Sequence, residues 1–271
     1  MRVGITVRIV GVIIAVVLIL PTIVICATAF TSGTQVTFPP DGVSLRWIED
    51  VLGDRRWMRA FGNSFAVGLL AAVFAMVGGG ALALGAARTR GPIASVFTAV
   101  SVLPMILPLV VGAIGFYLVY VRLGLTGNVL GLALAHGVLG LPYVFVNVLA
   151  LLRTLDPRVE EAARVHGAGQ FTTLVTITLP LIAPATMVGG LLSFISSWDE
   201  VVVATFLSDA RFQTLPVLMY SQLRSGVEPS VSAVALIVTV VTFAIALIVF
   251  AIGPISARLS ARALKRPRSS R

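Results

Sequence analysis

Asp156 to Pro180 reads DPRVEEAARVHGAGQFTTLVTITLP, a polar segment set between two long apolar runs, Val129–Leu152 and Leu181–Leu207. Its first part is a short helix. Asp156 followed by Pro157 is a helix start, and Glu160 and Glu161 then fall near the positive end of the helix dipole. Ala162 and Ala163 continue a compact face, and Gly167 supplies the stop. A second apolar piece passes through Ile177 and Leu179 to Pro180, where the next long run begins. A small-residue helix protruding between such runs is suited to sitting in another protein's groove and moving as a rigid lever.

Working outward, apolar stretches recur at Ile9–Phe30, Ser64–Ala86, Ile93–Tyr120, Val129–Leu152, Leu181–Leu207 and Val231–Ile255. Each meets the requirement of about 20 residues for crossing a hydrocarbon core of about 30 Å. The 271 residues are 58% hydrophobic and 11% charged, and the mean hydropathy is +1.02. A water-soluble fold of this length could not hide that much apolar surface, so the expected fold is all-α, a polytopic membrane protein of six transmembrane helices. Arg2 and Arg8 precede the first run in the manner of a secretory signal, but Ile9–Phe30 exceeds the usual apolar length of about 7 to 15 residues. It is expected to be an uncleaved first span.

The net charge is +9, and its placement argues against nucleic acid, because the basic residues gather at loops and in the tail Arg258, Arg262, Lys265, Arg266, Arg268 and Arg271. With both termini cytoplasmic, the inner segments hold thirteen Lys and Arg and the outer segments seven, so the positive-inside rule favours that orientation. The single Cys26 lies in an apolar run and can form neither an internal disulfide nor a metal cluster; it reads as a small packing residue.

The chain divides into a first span with an outer loop, 1–62, a transmembrane core, 63–257, with its cytoplasmic loop at 153–180, and a basic tail, 258–271. In the outer loop Leu45, Ile48, Val51 and Leu52 recur at helical spacing beside Trp47 and Trp57, as in a short interfacial helix, and Asn63 is placed to cap the second span. Pro21, Pro104, Pro108, Pro142 and Pro184 fall in or near spans and imply either kinks or broken segments near a pathway, or simple bending for packing. Gly78, Gly79 and Gly80 favour close helix approach.

Glu161-Ala162-Ala163, three residues, Gly167, nine residues, Ile177, one residue and Leu179-Pro180 together resemble the complete EAA loop of ABC importer permeases of the binding-protein-dependent, type I class, at the family's spacing. With seven fixed residues at about 7% usage each, chance agreement is on the order of 10⁻⁸ per starting position. The segments WDEVVVATFL and LPVLMYSQLRSGVEPSVSAVA are similar to the permeases of polyamine importers, those for spermidine and putrescine in particular, and the likeness extends over Ser64 to Ile255. The resemblance implies the type I ABC importer transmembrane fold in a bacterial inner membrane. It assigns Glu161, Ala162, Ala163, Gly167, Ile177, Leu179 and Pro180 to docking in a cleft of an ATPase subunit. It also implies the partners: a second, homologous permease in a heterodimer, two ATP-binding cassette ATPases that hold the ATP and Mg, and a periplasmic binding protein. No cofactor is expected on this chain. Polyamine is the favoured solute, with ferric ion, aminophosphonate or amino-acid derivatives as alternatives. Where the family often carries two Asp residues, this chain has Asp199 and Glu200.

Asp199 and Glu200 are the only acidic residues inside an expected span, and Ser193, Ser196, Ser197 and Trp198 before them make one side of it polar. Adjacent residues point about 100° apart, so one carboxylate at a time faces a central pathway. Two readings stay open. Trp198, Asp199 and Glu200 can attract a polycation, with Trp198 offering a cation–π face. Alternatively, the carboxylates pair with an Arg such as Arg211 or are solvated at the mouth. His136 has the same two readings, with an interhelical hydrogen bond favoured, and His166 either meets the ATPase or is solvated. The chain itself is expected not to be an enzyme. Its one lysine, Lys265, lies in the tail, so it lacks a phosphate-binding loop. An intramembrane serine protease would need a Gly-x-Ser-Gly nucleophile, which is absent, and a secondary transporter would need no docking loop.

Overall fold

A computed structural model describes residues 5–226 and 228–244 of the chain. In chain order it contains α1 (Ile5–Thr28), α2 (Arg46–Gly53), α3 (Arg55–Arg88), α4 (Pro92–Ile106), α5 (Leu109–Leu123), α6 (Val129–Leu152), α7 (Arg158–Val165) and α8 (Gln170–Thr173). A π-helical turn (Leu174–Thr178), α9 (Leu179–Trp198), α10 (Val202–Leu207) and α11 (Leu215–Ser225) follow, then α12 (Pro229–Ala244). Among the described residues there is no strand.

Two compact units are formed. One is Arg55–Ser221, and the other joins the described residues before it, up to Asp54, with those after it, from Gln222 to Ala244. The larger unit is built on α3, α6 and α9, whose buried faces are made of small residues. On α3 these include Ala71, Ala72, Ala75, Gly79 and Ala83, at helical spacing. A Cβ added at Gly79 would lie 2.8 Å from the Leu141 carbonyl oxygen, and one at Gly189 would lie 2.5 Å from Val144 Cα. The α6 backbone is thus gripped on two sides, as van der Waals packing in lipid requires, since apolar burial there has little driving force. Below this contact Ala75, Ala83, Val144, Phe145, Val148, Leu149 and Ile182 form one apolar cluster. A second cluster, with Val67, Leu132, Ala135, Val203, Leu207 and Phe212, joins α3 and α6 to α5 and α10.

The expected third span, Ile93–Tyr120, is not one helix. It is broken into α4 and α5, which meet at 106°. Pro108 has no N–H to donate and its ring disfavours the helical region for the residue before it. Leu107 accordingly has ψ 134°, and α5 starts just after Pro108. Each half, at about 22 Å, is shorter than the hydrocarbon thickness. Pro21, Pro104, Pro142 and Pro184 all lie inside continuous helices. The α4–α5 bend and α6 line an apolar cavity of about 670 Å³ that includes Leu103, Leu107, Phe116 and Leu139.

Two further expectations are corrected. Asn63 does not cap a helix, because α3 starts at Arg55, and its side-chain amide instead donates to the Gln213 carbonyl at 2.9 Å. The fifth span does not run on to Leu207; α9 ends at Trp198 and the chain leaves helical geometry before α10 begins. Among the described residues four helices are long and apolar enough to cross a membrane, and the α4–α5 pair makes a fifth if it is one span. The expected sixth, Val231–Ile255, continues beyond α12 outside the described residues, as do Arg2 and the basic tail 258–271.

In the smaller unit α1 is apolar from Ile9 to Leu20 and exposed over that stretch, with Leu18 at 70% and Val17 at 62%. Its end is tied to α12 by Thr28 Oγ1 donating to Ser232 Oγ at 3.1 Å. α2 is the short helix expected from the spacing of Leu45, Ile48, Val51 and Leu52; Val51 is buried and Leu45 and Leu52 are exposed. Arg46 and Trp47 at its start both donate to the Gly33 carbonyl, at 3.2 and 3.0 Å, folding the loop back on the helix.

Candidate functional site

The polar segment between α6 and α9 folds as its sequence dictates. Asp156 Oδ1 accepts from the Arg158 N–H at 3.0 Å and opens α7. At the other end Gly167 has φ +87°. The Gly167 N–H meets the Arg164 carbonyl at 3.0 Å and the Ala168 N–H meets the Ala163 carbonyl at 3.1 Å, a closure that needs the left-handed backbone glycine adopts without strain. His166 Nδ1 donates to the Ala162 carbonyl at 2.8 Å while its ring stays exposed.

No residue of α7 is buried. Glu161, Ala162 and Gly167 are exposed, Ala163 and Ile177 half-buried, and Leu179 and Pro180 exposed. Two apolar side chains stand out from this segment, Val165 at 84% and Phe171 at 78% exposure. Val165 lies on α7, outside the apolar run Gln170–Trp198, and an exposed apolar side chain there offers a contact to another protein, whereas Phe171 stands at the start of that run.

The residue that anchors the segment was not singled out from sequence. Glu160 Oε1 accepts from Thr178 Oγ1 at 2.6 Å and from Arg88 Nη2 at 3.1 Å, and Arg88 Nη2 also lies 3.4 Å from Thr178 Oγ1. Donation from the Thr178 hydroxyl, supported by the Arg88 charge, holds the Glu160 carboxyl below the usual range against partial desolvation. Thr178 occupies the unspecified position between Ile177 and Leu179. The partners of Glu160 are 18 and 72 residues away, beyond any local pattern. The one local signal was the doubling of Glu160 and Glu161.

At the opposite end of α9 the three residues considered for a solute pathway take different places. Trp198 is buried, stacked on Phe194 with ring centroids 5.7 Å apart and edge-on to Phe61 at 5.3 Å. Glu200 turns inward, its side chain 8% exposed. Its carboxylate accepts from the N–H groups of Val202, Val203 and Ala204 at 2.7, 2.8 and 2.9 Å and so starts α10. His136 Nε2 lies 3.1 Å from Glu200 Oε2, and His136 Nδ1 is 2.7 Å from Ser197 Oγ. His136 therefore makes the interhelical hydrogen bond, and Glu200 faces His136 rather than Arg211. Asp199 alone of the three is exposed.

Residues 76–259 match the family described as binding-protein-dependent transport system inner membrane component. The chain is 33% identical to the spermidine/putrescine transport system permease protein PotC of Haemophilus influenzae, over 75% of this chain and 79% of that one. It is also 33% identical to the putrescine transport system permease protein PotI of Escherichia coli (strain K12), over 80% of each chain. Among solved structures, a chain of a bacterial ABC transporter involved in the import of the acidic polysaccharide alginate superposes with a TM-score of 0.68, at 22% identity, covering 93% of this chain and 98% of that one. That last likeness is one of fold.

Proposed function

The chain belongs to the family of binding-protein-dependent transport system inner membrane components, and from that premise we propose that it is the permease subunit of an ATP-driven importer of polyamines such as spermidine or putrescine. The observation that carries the reading is α7: a helix with no buried residue, closed by Gly167 and carrying the exposed Val165 and Phe171 beside it. It is the coupling loop of a permease core at 63–257, and it docks on a separate ATPase that holds ATP and Mg. Glu161, Ala162, Ala163, Gly167, Ile177, Leu179 and Pro180 shape that contact. A second, homologous permease completes the pathway, two ATPase copies drive it, and an extracytoplasmic binding protein delivers the solute. Both termini are cytoplasmic.

In mechanism, ATP binding closes the ATPases, α7 is carried with them, and the helices exchange inward-open for outward-open states. The free energy comes from the difference in ATP affinity between those states. The polyamine assignment is supported by the names of the relatives and by Asp199, the exposed carboxylate beside α9. Glu200, held by His136 and three amides, shapes the turn instead.

The test is ATP-dependent uptake of radiolabelled spermidine and putrescine into vesicles holding the reconstituted complex, with Gly167→Asp beside wild type. Uptake in wild type, and its loss in the variant with ATP still bound, is the expected result. Normal uptake in Gly167→Asp would sink the coupling role. Absence of polyamine uptake in a complex that still hydrolyses ATP would move the substrate to another solute.

A further inference from the structure

α7 presents a mechanical problem. A lever must keep its angle, but α7 is an 8-residue helix that buries no side chain. Helices of that length are marginal on their own in water, and most helical stability comes from a packed face, which α7 lacks. Its chain connections are the short turns Arg153–Pro157 on one side and His166–Gly169 on the other. A push on α7 would be absorbed by these turns unless something else fixes it to the long helices.

The ring formed by Arg88, Glu160 and Thr178 is placed for that task. Arg88 is the last residue of α3, Glu160 is in the first turn of α7, and Thr178 is the last residue of the π-helical turn that leads into α9. Thr178 is 1% exposed, so its hydroxyl is fixed. The turn that presents it carries an i→i−5 hydrogen bond from Leu179 to the Leu174 carbonyl, and such π-bulges tend to be kept at functional positions. The Arg88 and Glu160 side chains are 45% and 30% exposed, and exposed pairs add little to folding stability. Their value is geometric. Beside the ring, Arg88, Glu160, Arg164, Gln170 and Thr173 line a cavity of about 350 Å³, so on that side the ring is not backed by packed side chains.

We propose that Arg88, Glu160 and Thr178 form the joint that locks α7 to the end of α3 and to the start of α9, so that displacement of α7 passes to both long helices. They are positioning residues, distinct from the motif residues that meet the ATPase. The inference rests on the reading of α7 as the coupling lever.

The experiment uses the full importer complex in lipid nanodiscs, on a Cys26→Ala background, with spin labels at Ala87→Cys on α3 and Arg158→Cys on α7. Dipolar EPR reads the spread of the α3–α7 distance, and ATPase rate and spermidine uptake are measured on the same preparations. The expected result is a narrow distribution in the parent that broadens at least twofold in Glu160→Gln and in Arg88→Gln. The double variant should be no broader than either single. The exchange Arg88→Glu/Glu160→Arg should narrow it again, a rescue that general loss of folding would not give. Thr178→Val, which is nearly isosteric, should give an intermediate width. In the broadened variants ATPase rate stays within about twofold of the parent while uptake falls at least tenfold. An unchanged width in both single variants, or an exchange as broad as the singles, overturns the joint. If the parent fails to retain an ATPase, the importer reading falls and the transmission role with it.

Discussion

At Gly167 the backbone has φ +87°, a region that costs L-residues with a side chain roughly 1–2 kcal/mol. Asn tolerates it better than β-branched residues. Gly167→Asn should therefore retain more ATP-driven uptake than Gly167→Val, and hydrogen exchange of the α7 amides should rank the two variants in the same order. Glu200 and Asp199 are neighbours with opposite surroundings. Replacing Glu200 by Gln removes the charge from hydrogen bonds to three amides in a buried setting, at a cost of about 2 kcal/mol. A lowered melting temperature checks it. Asp199→Asn should leave the melting temperature unchanged and weaken polyamine uptake. Glu160 adds a pH expectation. Because its carboxyl is held below the ordinary range, its contribution is complete above that range and is lost only as pH falls through the lower folded-state value. The α3–α7 distance should hold as pH falls from about 8 to the ordinary glutamate value of about 4.3, and widen only below it.

Among the elements, α3, α6 and α9 show why glycine identity alone does not predict cost. A Cβ at Gly189 would press on the Val144 backbone at 2.5 Å, whereas one at Gly190 would meet the Met76 sulfur at 2.6 Å. A backbone cannot yield locally and a flexible thioether can. Gly189→Ala should thus lower stability by about 1–3 kcal/mol, and Gly190→Ala by clearly less, as read by thermal melting in detergent. Trimming Val144 to Ala should not rescue Gly189→Ala, since the clash is with Val144 Cα. The α4–α5 break shows a similar limit of pattern. Five prolines in apolar runs looked equivalent in sequence; only Pro108 coincides with a break, because only there does the preceding residue, Leu107, leave the helical region. At Pro21, Pro104, Pro142 and Pro184 the helix runs on, at whatever local adjustment its neighbours allow.

For the whole molecule, a chain with α1 exposed from Ile9 to Leu20 and with four to five spans among the described residues is stable only with lipid or partner helices around it. The proposed orientation places α7 and the loop around Arg211 on opposite faces of the membrane. In sealed right-side-out vesicles an impermeant thiol reagent should label Arg211→Cys and spare Arg158→Cys, both on a Cys26→Ala background. Labelling of both, or the reverse preference, would overturn the orientation.

The apolar runs, the short helix α7 and its glycine stop were open to reading from the sequence because each is a local sum. Apolar length sets whether a segment can cross a bilayer, and an Asp-Pro start with a left-handed glycine sets where a helix begins and ends. The places of Glu160, Arg88, Thr178, Asp199 and Glu200 were settled only by the tertiary structure. Whether a carboxylate faces solvent, a histidine or a row of amides depends on which distant segments the packing of α3, α6 and α9 brings to it, and no period along the chain encodes that.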